Sequence, residues 1–109
     1  MATTYKVLGQ SAPAAVTSTD LYTVPAATSA IISTIVIANR ASTSASFRLS
    51  VSKLGAVLAN ADYLAYDITI QGNSSLTLTL GITMATTDKF RVYASTANLS
   101  FNAFGTEIS

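Results

Sequence analysis

Polar and apolar residues alternate along most of this chain with a period of two, the pattern of β-strands that bury one face. Ser75 to Met84 reads SLTLTLGITM, with Leu76, Leu78, Leu80, Ile82 and Met84 on one side and Ser75, Thr77, Thr79, Gly81 and Thr83 on the other. Gly81 interrupts the run where a bulge or a strand end is expected. Between Ala45 and Ser52, Phe47, Leu49 and Val51 point inward while Ser46, Arg48, Ser50 and Ser52 point outward. Leu64 to Ile70 assigns Leu64, Tyr66, Ile68 and Ile70 to the inside. Phe90, Val92 and Ala94 alternate with Lys89, Arg91 and Tyr93, and Leu99, Phe101 and Ala103 with Ser100, Asn102 and Phe104. Ser29 to Asn39 is apolar on both parities, with Ile31, Ile35 and Ile37 against Ile32, Val36 and Ala38. That predicts a strand covered on two sides, by the core and by a further layer or subunit.

Shorter strands are expected at Tyr5 to Gly9 and at Leu21 to Val24, the latter ended by Pro25, which cannot donate to a ladder. Turn-forming clusters separate the strands at intervals of about ten residues, the spacing of an all-β sandwich or barrel. Gly72-Asn73 and Thr87-Asp88 carry suitable turn chemistry. Only Gly55 to Tyr63 has helical propensity, and it is too short for more than about two turns. The expected fold is all-β: one antiparallel β-sandwich of seven to eight strands over residues 1–109, with 1–12 available as an N-terminal arm. A jelly roll and an immunoglobulin-like sandwich look alike at this level.

Composition narrows the chemistry. The 109 residues include no Cys, His or Trp. Charged residues make up 10% of the chain, against about 25% in an ordinary domain. Ser and Thr supply the polarity instead, at fourteen and sixteen residues. Without His or Cys there is no imidazole base, no thiolate and no common zinc ligand. Asp20, Asp62, Asp67, Asp88 and Glu107 are the only carboxylates, and a glycosidase pair or calcium site would need two or three to converge. No phosphate loop or nucleophile elbow is spelled out. The chain is therefore read as non-enzymatic, with no catalytic, cofactor-binding or metal residues and no cofactor.

Partner classes narrow in the same way. A net charge of +1 is no polyanion footprint, so nucleic acid is not expected as a partner. The most apolar stretch, Ala30 to Ala38 (AIISTIVIA), is about half a bilayer span, and no membrane partner is expected. Met1 to Gln10 alternates rather than showing the charged start and apolar run of a secretory signal. Tyr63 and Tyr66 with Asp62 and Asp67 form the one cluster that a carbohydrate site could use, although the two tyrosines differ in parity. A surface of hydroxyl residues with little charge suits burial against other protein, and an exposed edge strand in such a chain invites a covering partner.

Several segments in order resemble small β-rich structural proteins of tailed bacteriophages: Tyr5 to Gln10 (YKVLGQ), Leu21 to Pro25 (LYTVP), Ser33 to Arg40 (STIVIANR), Phe47-Arg48-Leu49, Ala65-Tyr66-Asp67, Leu76 to Ile82, Val92-Tyr93-Ala94 and Leu99 to Gly105 (LSFNAFG). The resemblance implies a non-enzymatic, β-rich virion protein made in the bacterial host cytoplasm and does not fix its place in the particle; a single 109-residue domain without a shaft or coiled coil points to a capsid-decorating (cement) subunit, with a neck, tail or baseplate module as the alternative. The expected partners are other copies of itself, as a homotrimer or another symmetric oligomer, and phage capsid or tail proteins. No functional residues carry over from the resemblance; from the strand pattern itself, Tyr5, Val7, Arg48, Arg91 and Tyr93 are the expected assembly contacts, and the Tyr5 to Gly9 segment could add a strand to a neighbouring sheet.

Overall fold

The alternating segments all form strands, and the turn clusters between them fold the chain back on itself. The structure is a computed structural model and describes residues 2–109. The strands are β1 (Thr3–Ser11), β2 (Thr19–Thr23), β3 (Ser29–Asn39), β4 (Ala45–Ser52), β5 (Tyr63–Ile70), β6 (Ser75–Met84), β7 (Lys89–Ala94) and β8 (Leu99–Ile108). The β4–β5 connection, for which the sequence predicts a helix of at most about two turns, makes two single 3-10 turns at Lys53–Gly55 and Asn60–Asp62. Residues 3–11 of the segment read as an arm form β1, which pairs with β8 from end to end.

Two four-stranded antiparallel sheets pack face to face. Sheet A has the order β1-β8-β3-β6 and sheet B the order β2-β7-β4-β5. β4 pairs with β5, β3 with β6, β2 with β7 and β1 with β8, a nested series describing one long ribbon that doubles back at the β4–β5 connection and rolls up. The pairs β3–β8 and β4–β7 join the ribbon's turns into sheets. This is jelly-roll topology, which distinguishes it from the immunoglobulin-like alternative.

The core between the sheets is built of apolar side chains. Phe47, Phe90, Phe101, Leu49, Ile35 and Ile37 are fully buried, and Phe47 meets the edge of Phe101 across the two sheets at 6.3 Å. Inward-facing strand positions fill it, as the alternation of β7 and β8 anticipates; in β4, Ser50 and Ser52 keep the outward parity expected of them but are buried, Ser52 in contact with Arg91. Two buried polar side chains fasten loops to this core. Asn39 donates to the carbonyls of Thr43 and Ile70 and accepts from the Ala41 N–H. The Asp88 carboxylate accepts the N–H groups of Leu54 and Ala85, both at 2.9 Å.

Bulges correct two of the expected faces. In β3 the register slips between Ile32 and Thr34, so the inward set is Ala30 and Ile32 before the slip and Ile35 and Ile37 after it. Apolar residues of both parities thus serve one core, and the expected two-sided burial reduces to Ile31, Val36 and Ala38 on the outer face, partly exposed. Gly105 makes room for this slip: a Cβ there would lie 1.9 Å from the Ile31 carbonyl oxygen. In β5 the register shifts twice and Asp67 takes a positive φ of 53°, which moves Ala65 toward the core. Leu64, Tyr66 and Ile68, expected inside, are 50%, 54% and 42% exposed on this edge strand, and only Ile70 of that set is buried. The interruption expected at Gly81 is a bulge, with φ +64° and an extra residue relative to β3.

Candidate interaction surfaces

The two outer faces of the sandwich differ in chemistry. Of the eleven charged residues, Asp20, Arg48, Asp67, Lys89 and Arg91 lie on the outer face of sheet B. Arg48 is opposite Tyr93 in the β4–β7 ladder, and the β5 bulge brings Tyr66 to its other side. The guanidinium carbon lies 4.1 Å from the Tyr66 ring centre and 4.3 Å from that of Tyr93, a cation held between two aromatic faces. Asp67 completes the group, accepting from Arg48 Nε at 2.7 Å and Nη2 at 3.3 Å. This hydrogen bond raises the Arg48 pKa further.

Arg91 fastens a different part of the same face. It donates to Asp20 Oδ1 at 2.9 Å, to Ser52 Oγ at 2.8 Å and to the Ala56 carbonyl at 2.9 Å, joining β2, β4 and the β4–β5 connection. Lys89 adds a second contact to Asp20 at 3.0 Å. Hydrogen bonds from Arg91 and then Lys89 hold the Asp20 carboxyl below the usual carboxylate range. Each charge on sheet B is thereby answered by another of the same chain.

Among the described residues, no position within the four strands of sheet A sets a charged side chain on its outer face; Arg40, one residue beyond β3, donates to the Ala97 carbonyl at the far end. Strand register places Val7, Phe104, Thr34 and Thr79 in one row and Tyr5, Thr106, Ile31 and Thr83 in the next. Tyr5 is 81% exposed, Val7 48%, Phe104 38% and Ile31 36%, so four large apolar side chains stand together among threonines. Isolated apolar residues on a surface are ordinary, whereas a contiguous group rimmed by polar residues marks an interaction site. The neighbouring charges on these strands, Lys6 and Glu107, have the opposite parity and point to the other side of the sheet. There Lys6 Nζ is 2.8 Å from Glu107, and the Tyr22 hydroxyl of β2 donates to the same carboxylate, bridging the sheets.

The five expected assembly contacts therefore divide. Tyr5 and Val7 join on the uncharged face, while Arg48, Tyr93 and Arg91 belong to the opposite face and engage partners within the chain. Ile31 and Phe104 complete the first group and were not singled out from sequence, because their adjacency to Tyr5 and Val7 follows from the order β1-β8-β3. The tyrosine–carboxylate cluster is also internally engaged. Tyr63 meets the Tyr66 ring edge to face at 4.9 Å, Asp67 holds Arg48, and Asp62 accepts the Ala59 N–H. Among the described residues, no group of three or more acidic side chains converges and no helix is long and apolar enough to cross a membrane. No family model matches the chain, and no curated protein matches its sequence.

Proposed function

We propose that this chain is a non-enzymatic virion structural protein of a tailed bacteriophage, a capsid-decorating subunit that strengthens the shell by protein–protein contacts. The observation that carries the reading is the uncharged outer face of sheet A, on which Tyr5, Val7, Ile31 and Phe104 are exposed together. Covering that face removes apolar area from water without desolvating an ion, the favourable case for a protein–protein contact. The ordered phage-like segments of the sequence support the same reading, and the jelly roll is a framework that viral shells use repeatedly, which is support by analogy. Many weak copies acting together on a repetitive shell would stabilise it by mass action.

Copy number in purified particles tests this directly. Quantitative peptide mass spectrometry of gradient-purified virions should find the chain at an abundance comparable to the main shell subunit. Presence at only a few copies per particle would move it to the neck, tail or baseplate, and absence from the particle would overturn the virion reading altogether.

A further inference from the structure

The sandwich has four edge strands, and three of them carry a feature that discourages pairing with a stranger. β1 has Lys6, β2 has Asp20 with Pro25 just beyond it, and β5 has Asp67 at a bulge. β6 differs. Its ten residues contain no charge and no proline, and Ser75, Thr77 and Thr79 are exposed along it. Its one interruption, the bulge at Gly81, leaves Ser75–Thr79 as a regular ladder with its outer side unpaired.

We infer that β6 pairs with β6 of a second copy, antiparallel, about a two-fold axis normal to sheet A near Thr77. The alternation of β6 suits this partner. An antiparallel pairing centred on Thr77 sets Ser75 opposite Thr79 and Leu76 opposite Leu78 of the other copy, with every hydroxyl on one face and every leucine on the other. The competing edge, β1, fits less well: Lys6 shares the inward parity that Leu76 and Leu78 have on β6, so joining the two edges would set an ammonium among leucines. A two-fold axis normal to the sheet keeps both outer faces on the same side. The product is a continuous eight-stranded sheet, roughly 38 Å across at about 4.8 Å per strand, whose uncharged face is doubled. The pairing rests on the reading of the chain as an assembly subunit and specifies how two copies join before they meet a larger partner.

The absence of cysteine makes the test clean. A residue on the axis lies opposite itself, and antiparallel partners have Cα atoms about 4.5–5.5 Å apart, within disulfide range. The 109-residue chain carrying Thr77→Cys should run as a dimer by light scattering and convert to a disulfide-linked dimer under mild oxidation, while Thr4→Cys on β1 stays uncrosslinked. Thr77→Lys and Thr77→Glu should each be folded monomers by circular dichroism and light scattering, and mixing them should restore a dimer. A stable monomer or trimer of the unsubstituted chain, or equal crosslinking at Thr4 and Thr77, would overturn the pairing. Because these readouts use purified protein, a dimer that is absent from virions would uphold the pairing and sink the virion reading, and a decorated virion bearing unpaired copies would do the reverse.

Discussion

Val7 lies directly opposite Phe104 in the β1–β8 ladder, and both side chains stand on the uncharged outer face of sheet A. Neither contributes to the sandwich core, so the pair can be altered without unfolding the chain. The double substitution Val7→Lys, Phe104→Lys should keep the circular dichroism spectrum and cost about 1 kcal/mol or less, as surface changes do. It should also abolish binding to shell particles in a co-sedimentation assay. Retained binding would locate the contact elsewhere.

Phe101 and Phe104 are three residues apart on β8 and face opposite ways, the first fully buried against Phe47 and the second partly exposed. Phe101→Ala should cost about 3–5 kcal/mol in urea denaturation, the usual penalty of a large cavity in a core. Phe104→Ala should cost less than a third of that. Equal losses would contradict the assignment of faces.

Arg48 is held between Tyr66 and Tyr93 and by both oxygens of Asp67. A lysine keeps the charge but lacks the planar fork that both stacks and bonds in this geometry. The expected order of melting temperature is wild type above Arg48→Lys above Arg48→Ala. An Arg48→Lys variant as stable as wild type would show that charge alone matters at this position.

Stability should fall at both ends of the pH range. Asp20 is held below the usual carboxylate range by Arg91 and then Lys89, and Glu107 by Lys6 and then Tyr22. A depressed carboxyl contributes stability that is present above its unfolded value, about pH 4, and lost as pH falls through the folded one. The Tyr22 hydroxyl is pushed up by burial and then by Glu107. It contributes stability below its unfolded value of about 10 that is lost as pH rises toward the folded value. Thermal melts across pH should show both declines, and Glu107→Gln should flatten the acid one.

Much of this fold was legible because a strand with one buried face writes its own period. β3, β4 and β6 begin and end at the residues where the alternation does, and Gly81 signalled its bulge. The slips at Ser33 and Asp67 were not legible, since a bulge reverses parity with no residue type that announces it. For that reason Ile31 and Ile32 looked like two buried faces, and Tyr66 looked internal. Strand order was equally hidden, because it depends on contacts between distant segments. Tyr5 and Val7 were legible as candidate contacts, but their union with Ile31 and Phe104 required β8 to lie between β1 and β3. Arg48 and Tyr93 were visible as outward residues of neighbouring type. The stack they form with Tyr66 depends on the β5 bulge.

Cryo-microscopy of the intact particle distinguishes the two faces. Density for this jelly roll should stand on the shell, with the face bearing Tyr5, Val7, Ile31 and Phe104 against neighbouring protein and the Arg48 face turned to solvent. A jelly roll seated through the Arg48–Tyr66–Tyr93 face, with Tyr5 and Phe104 in open solvent, would contradict this arrangement.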